Sequence, residues 1–179
     1  IPESITQIGD YAFAGNSTIR SITIPESVKL IGTYAFRNCS QLSEVTIIGK
    51  GLETVHSNAF SAANISRVNI TDLAHWFEIN FSSVPNTGSV IIHPQNTANP
   101  LSQQADLYVN GELLTELVVP NGVTNIHYSL FSGCTSIQSV VIPGSVQEIG
   151  EYAFYRCYNL KTVSVEKGLT TILDNAFGE

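Results

Sequence analysis

Methionine is absent from the 179 residues, tryptophan occurs once, cysteine three times, and Lys plus Arg number only 8 against 15 Asp plus Glu. Each shortage excludes something. A net charge of −7 argues against nucleic acid or anionic membrane as partner, because both demand a positive surface. No apolar run reaches the roughly 18 residues that a helical membrane span needs. The opening IPESITQIGD lacks the basic and apolar blocks of a secretory leader. With no Met at all, a start Met included, the chain reads as an interior piece of something longer, so leaders and anchors would lie elsewhere. Chemical motifs are missing too: there is no G-x-S-x-G, H-E-x-x-H, G-x-x-x-x-G-K or G-x-G-x-x-G.

What is present is repetition. IPESITQIGDYAF (Ile1 to Phe13) returns as IPESVKLIGTYAF from Ile24, VPNGVTNIHYSLF from Val119, IPGSVQEIGEYAF from Ile142 and VEKGLTTILDNAF from Val165. Successive copies are offset by 23 residues, and a sixth, Ile47 to Phe60, carries one extra residue before its Phe. Within a copy the apolar places are 1, 5, 8, 12, 13, 19 and 22, as in Ile142, Val146, Ile149, Ala153, Phe154, Leu160 and Val163. That spacing is neither helical nor strand-like, yet it is the same in each copy. A solenoid coil produces this, since each inward residue stacks on its counterpart in the next coil. Phe13, Phe36, Phe60, Phe131, Phe154 and Phe177 are expected to form one ring ladder.

The L-x-x-V-x-[IV] stretches Leu42 to Ile47, Ile137 to Ile142 and Leu160 to Val165 alternate apolar and polar residues and read as strands that stack into one parallel sheet. A second, shorter extended piece, Val28 to Ile31 or Val146 to Ile149, follows a turn set by Pro2, Pro25, Pro120 or Pro143. The Y-A-F turn closes each coil. From Thr71 to Val118 the period becomes unreadable; at about two coils in length, this stretch is expected to continue the stack with Trp76, Ile79 and Phe81 as core. Leu114, Leu117 and Val119 restore the strand pattern. One solenoid over 1–179 is expected, regular at 1–69 and 119–179 and divergent at 70–118.

The unit I-P-x-S-V-x-x-I-G-x-Y-A-F-x-x-C-x-x-L-x-x-V resembles the BspA-type leucine-rich repeat. DLAHWFEINF, the Asn99-Pro100-Leu101 triplet and LYVNGELLTELVVP (Leu107 to Pro120) resemble an insert that recurs in that family. The resemblance implies a mainly β fold with short helical turns, a right-handed solenoid whose parallel sheet is concave. It implies an extracellular or cell-surface binding or adhesion module with a protein, cell-surface or matrix ligand, no cofactor and no catalysis. A structural repeat that self-associates into a fibre or coat is the alternative, because a solenoid cut at both ends exposes apolar ladders.

The individual reactive residues fit that picture. Cys39, Cys134 and Cys157 each lie three after a repeat Phe, so they form a register rather than a metal cluster. Small buried ladder residues are the expectation; a Cys134–Cys157 bond between neighbouring coils is within reach in spacing, though parallel side chains oppose it. His56 and His127 stand where other copies have Gly9, Gly32 and Gly150, and His75 and His93 have no triad-like companions. Carboxylate pairs are defined by separation in space, but Glu26, Glu148 and Glu166 fall at coil edges, where solvation is the simpler account. Tyr11, Tyr34 and Tyr152 are expected to pack at the coil edge.

In leucine-rich-repeat proteins the strand face is the usual contact surface. The outward strand positions here are Arg20, Ser21, Thr23, Ser43, Glu44, Thr46, Ser66, Arg67, Asn69, Thr115, Glu116, Gln138, Ser139, Lys161, Thr162 and Ser164. This face is mildly polar and lacks the Trp, Tyr and Arg concentration of strong binding hot spots. N-x-[ST] sequons at Asn38, Asn64, Asn69 and Asn80 are candidate glycosylation acceptors; a fifth, Asn16, shares the Cys register and is expected to be buried and bare.

Overall fold

The structure is a computed structural model that describes residues 1–81 and 97–179. Short and long strands alternate along the chain. They are Gln7–Ile8 (β1), Ser21–Ile24 (β2), Leu30–Ile31 (β3), Glu44–Ile47 (β4), Thr54–Val55 (β5), Arg67–Ile70 (β6) and Asn80–Phe81 (β7). Asp106–Val109 (β8) and Glu112–Leu113 (β9) follow. A second run holds Glu116–Val118 (β10), Asn125–Ile126 (β11), Ser139–Ile142 (β12), Glu148–Ile149 (β13), Thr162–Val165 (β14) and Thr171–Ile172 (β15). A one-turn helix, Leu73–Trp76 (α1), and a 3-10 turn, Pro100–Gln103, complete it.

The repeat period is visible as strand register. Ser21 pairs with Glu44 and Glu44 with Arg67, each one coil apart, in a parallel ladder β2-β4-β6-β8. The short strands stack likewise as β1-β3-β5-β7 and β11-β13-β15. In each Pro turn the amide three residues on donates to the proline carbonyl, as Val28 N to Pro25 O at 3.1 Å. The Y-A-F turn contains a left-handed residue at one fixed place: Tyr11, Tyr34, Asn58, Ser129, Tyr152 and Asn175 have φ between 53 and 59°. A non-glycine residue there is strained by about 1–2 kcal/mol. The neighbouring coil holds it in place, with Phe36 N donating to Ala59 O and Phe154 N to Ala176 O, both at 2.7 Å.

Two expectations need correcting. The long strands form two parallel sheets, not one: β9 folds back antiparallel on β8, and β10-β12-β14 starts separately. The Phe ladder likewise comes in two runs. Phe13, Phe36 and Phe60 stack at 5.1 and 5.2 Å, and Phe131, Phe154 and Phe177 at 5.3 and 5.1 Å, with near-parallel rings. Phe60 instead donates its amide to Thr97 O, next to buried Ala98, and Phe131 meets Phe77 edge-on at 5.4 Å. The coil between the two runs is longer, because Arg67 pairs with Asp106 across 39 positions (106 − 67) instead of 23 (44 − 21).

Polar side chains join the runs at this seam. Asn99, fully buried, donates to Ser129 O at 3.1 Å and Leu130 O at 2.8 Å while its own oxygen accepts from Leu101 N. Trp76 Nε1 donates to Leu130 O at 3.3 Å, and the Ser136 hydroxyl accepts from Leu107 N at 3.0 Å. Gly133 is required where the second run meets the 3-10 turn, since a Cβ there would lie 2.6 Å from Leu101 O. Trp76, Ile79 and Phe81 are buried as expected, within one hydrophobic cluster that reaches from Ile8 to Ala176.

Candidate binding face

The outward residues of the long strands form columns because parallel pairing puts like positions side by side. One column reads Ser21, Glu44, Arg67, Asp106; beside it run Thr23, Thr46, Asn69, Tyr108. In the second sheet the columns are Glu116, Ser139, Thr162 and Val118, Val141, Ser164. Of the positions expected from sequence, Arg20, Ser21, Thr23, Ser43, Ser66, Thr115, Glu116, Gln138, Lys161, Thr162 and Ser164 are exposed. Glu44, Thr46, Arg67, Asn69 and Ser139 are half-buried. Ser43 and Ser66 are committed to the scaffold, their hydroxyls donating to Arg20 O at 3.2 Å and Ser43 O at 3.4 Å.

The charged and aromatic centre of this face is a group that the sequence expectation divides. Arg67 lies with its Cζ 3.7 Å from the centroid of the Tyr108 ring and its Nε 3.4 Å from Glu44 Oε1. Such stacking is worth about 0.5–1 kcal/mol at a partly exposed site. Tyr108 and Asp106 sit on β8, inside the unreadable stretch, so neither is among the expected face residues. The signal for them is the Asn110-Gly111 pair, with φ of 52 and 85°, which makes the two-residue β8–β9 turn. Leu113, paired with Tyr108, and Val118 are exposed apolar neighbours of the same region. The face therefore carries an Arg-Tyr pair and apolar side chains near the seam, which corrects its expected blandness.

The remaining candidates have structural roles. Cys39 and Cys157 thiols donate to Phe13 O and Phe131 O, both at 3.1 Å, and Cys134 Sγ lies 3.4 Å from Ser136 Oγ. All three are free and buried, and burial raises each thiol above its ordinary value, most of all Cys157. Buried His75 is held by Leu52 O at 2.8 Å and Glu78 Oε2 at 3.1 Å. His93 lies outside the described residues. Glu26 and Glu166 do more than meet solvent: they accept from the amides of Lys50 and Gly144 at 3.3 and 3.0 Å, and Glu148 is half-buried in β13. Tyr11 and Tyr34 rings lie 5.2 Å apart, and Tyr152 meets Tyr128 and Tyr155, all along the coil edge.

Asn38, Asn64 and Asn80 are exposed, whereas Asn69 is half-buried and its oxygen accepts from Gly111 N at 2.9 Å. Asn16 is half-buried rather than buried, its oxygen accepting from Thr18 N and Ile19 N.

Six copies of the BspA type leucine rich repeat region match residues 1–98 and 104–179. The chain belongs to this family. The BspA-type repeats account for both regular runs and for the seam on either side of residues 99–103. No curated protein matches the chain. Among solved structures it is similar in fold to a leucine-rich cell surface protein of Faecalibacterium prausnitzii, at 19% identity and TM-score 0.48 over 96% of this chain and 54% of that one. It is also similar to a leucine-rich-repeat protein of T. pallidum, at 22% identity and TM-score 0.48 over 94% and 66%. A third, from Bacteroides ovatus, has 21% identity and TM-score 0.41 over 99% and 56%. The BspA-type chain thus spans about half to two-thirds of the length of these structures. Among the described residues no group of three His, Cys, Asp or Glu converges on a point, and no helix is long and apolar enough to cross a membrane.

Proposed function

We propose that this BspA-type chain is a single solenoid, 1–179, that acts as a non-catalytic adhesion module outside the cell and grips a protein ligand with its long-strand face. The observation that carries this reading is the Glu44–Arg67–Tyr108 group, an aromatic-backed cation on a row of outward side chains held in register by backbone pairing. Arg and Tyr are the residue types that most often dominate protein interfaces. The flanking Ser and Thr positions offer adaptable hydrogen bonding without a deep pocket. Asn38, Asn64 and Asn80 are the acceptors that a glycosylating cell would reach. The test is binding of the purified chain to an array of secreted and cell-surface proteins, repeated with R67A/Y108A. A specific signal lost in that variant supports the face, and a signal indifferent to it moves the site elsewhere.

A second reading, self-assembly, draws on the last coil, where Val163, Val165, Ile172, Leu173 and Phe177 are exposed at positions whose counterparts one coil earlier are mostly covered. Sedimentation of the natural protein separates the two readings. Polymers that lengthen with concentration favour assembly, and a monomer that captures a foreign ligand favours adhesion.

A further inference from the structure

The seam breaks a backbone pattern that every regular coil keeps. Amides of each short strand donate to carbonyls of the coil before: Lys29 N to Thr6 O and Gly32 N to Ile8 O at 2.8 Å, Gln147 N to Thr124 O and Gly150 N to Ile126 O at 2.7 Å. β11 opens the second run, and its pairing with β13 places Thr124 and His127 where Gln147 and Gly150 stand one coil later. Both are exposed, and neither amide has an acceptor among the described residues. Opposite stands β7, paired only with β5 among the described strands. Its Ile79 corresponds to Glu53, whose carbonyl accepts from Asn80 N at 2.9 Å, yet the Ile79 carbonyl receives no described donor.

Between these two edges lie adjoining cavities of about 400 and 390 Å³, both lined by Glu78 and His127. Phe77 forms an apolar wall, and the Glu78 side chain is 73% exposed. A donor edge facing an acceptor edge is the place of one missing short strand. We propose that this cleft takes an extended polypeptide segment of a partner protein, added as a strand parallel to β11. Its carbonyls accept from Thr124 and His127 N–H, and its own amide donates to Ile79 O. Main-chain bonds supply affinity in this mode, and pockets for alternate side chains supply specificity. Glu78 favours a basic residue beside the strand. A phosphate, a sugar or a lipid tail matches neither the alternation of donors and acceptors nor their strand spacing. The site is independent of the long-strand face.

The test uses the whole chain and, as probe, a synthetic peptide with the sequence from Ser27 to Tyr34, SVKLIGTY, which carries a short strand with a lysine in front. In the free protein, amide exchange at Thr124 and His127 should be at least about tenfold faster than at Gln147 and Gly150. The peptide should bind saturably and slow exchange at those two amides. The same peptide N-methylated at its Leu30 position should bind about tenfold more weakly, with the protein itself unaltered. R67A/Y108A should leave peptide binding unchanged, which separates this site from the face proposed above. Slow exchange at Thr124 and His127 in the free protein would overturn the proposal, because the edge would already be filled. So would protection that grows with protein concentration, which would make a second copy the occupant. Failure of the peptide to bind at millimolar concentration, or binding without protection of those amides, would overturn it as well.

Discussion

The regular coils and the seam solve the same problem by different means. In a regular coil each backbone group meets its counterpart one coil away, and the side chains only fill the interior: a Phe on a Phe, a Cys thiol under a Phe carbonyl. At the seam the coil step lengthens from 23 to 39 residues and the counterparts are lost. Side chains then take over backbone bonds, with Asn99, Trp76 and Ser136 reaching across to Ser129, Leu130 and Leu107. A solenoid absorbs an insertion when buried polar side chains replace the missing ladder. Where they do not reach, as between β7 and β11, an open cleft remains.

The sharpest way to break the comparison is to remove one member of each kind. Phe154 is fully buried between two rings of its own kind, so F154A should cost about 3–5 kcal/mol in urea unfolding. F177A, at a ring 37% exposed with no coil beyond it in this chain, should cost less than half as much. Equal losses would mean that the stack is not what holds the coils. At the seam, N99A should cost about 2–3 kcal/mol. It leaves Ser129 O and Leu101 N buried without partners, whereas Leu130 O keeps Trp76 Nε1. A loss under about 0.5 kcal/mol would show that the seam is held by apolar packing alone.

The regular coils were legible because their residues repeat: the period, the Phe, Pro and Cys registers and the outward strand positions all follow from spacing. The turn chemistry was only half legible. Gly150 is needed because a Cβ would lie 2.7 Å from Ile126 O, whereas Gly9, with no described coil before it, has open space. His127 occupies the same register at the first short strand of the second run, where no described short strand pairs with its other edge. Its departure from glycine thus marks the seam, a signal that was present in the sequence but could not be read without the stacking order. The break in the Phe ladder was illegible for a related reason, since six equally spaced rings look continuous until the register step of the insert is known. Tyr108 was lost because a residue's face depends on pairing, and β8 carries no repeat motif.

The thiols test both regions at once. Burial raises Cys134 at the seam and Cys157 in a regular coil, so the folded chain keeps both protonated where the unfolded chain, near its ordinary 9.0, begins to ionise. The stabilising contribution is complete below pH 9 and is lost as pH rises above it. At about one unit above 9 the two thiols together should remove roughly 2–3 kcal/mol. C134A/C157A should flatten the decline, even if it lowers stability at neutral pH. Iodoacetamide should find three reactive thiols in unreduced, denatured protein; fewer would restore the Cys134–Cys157 bond that the structure replaces with two hydrogen-bonded thiols.

The smallest effects on stability belong to the long-strand face, and the two sheets should differ there in function instead. E44A, R67A and K161A each remove an outward side chain without opening a cavity, so folding should change by no more than about 0.5 kcal/mol. Lys161 stands in the second sheet with no ion pair among the described residues, whereas Arg67 is clasped by Glu44 and Tyr108. Holding the guanidinium in place lowers the rotamer entropy lost when a ligand binds. Loss of ligand capture should therefore be largest for R67A, intermediate for E44A, which leaves the cation in place but loosens it, and slight for K161A. The reverse order would put the contact surface on the second sheet and leave the Arg67–Tyr108 pair as a device that seats the β8–β9 hairpin.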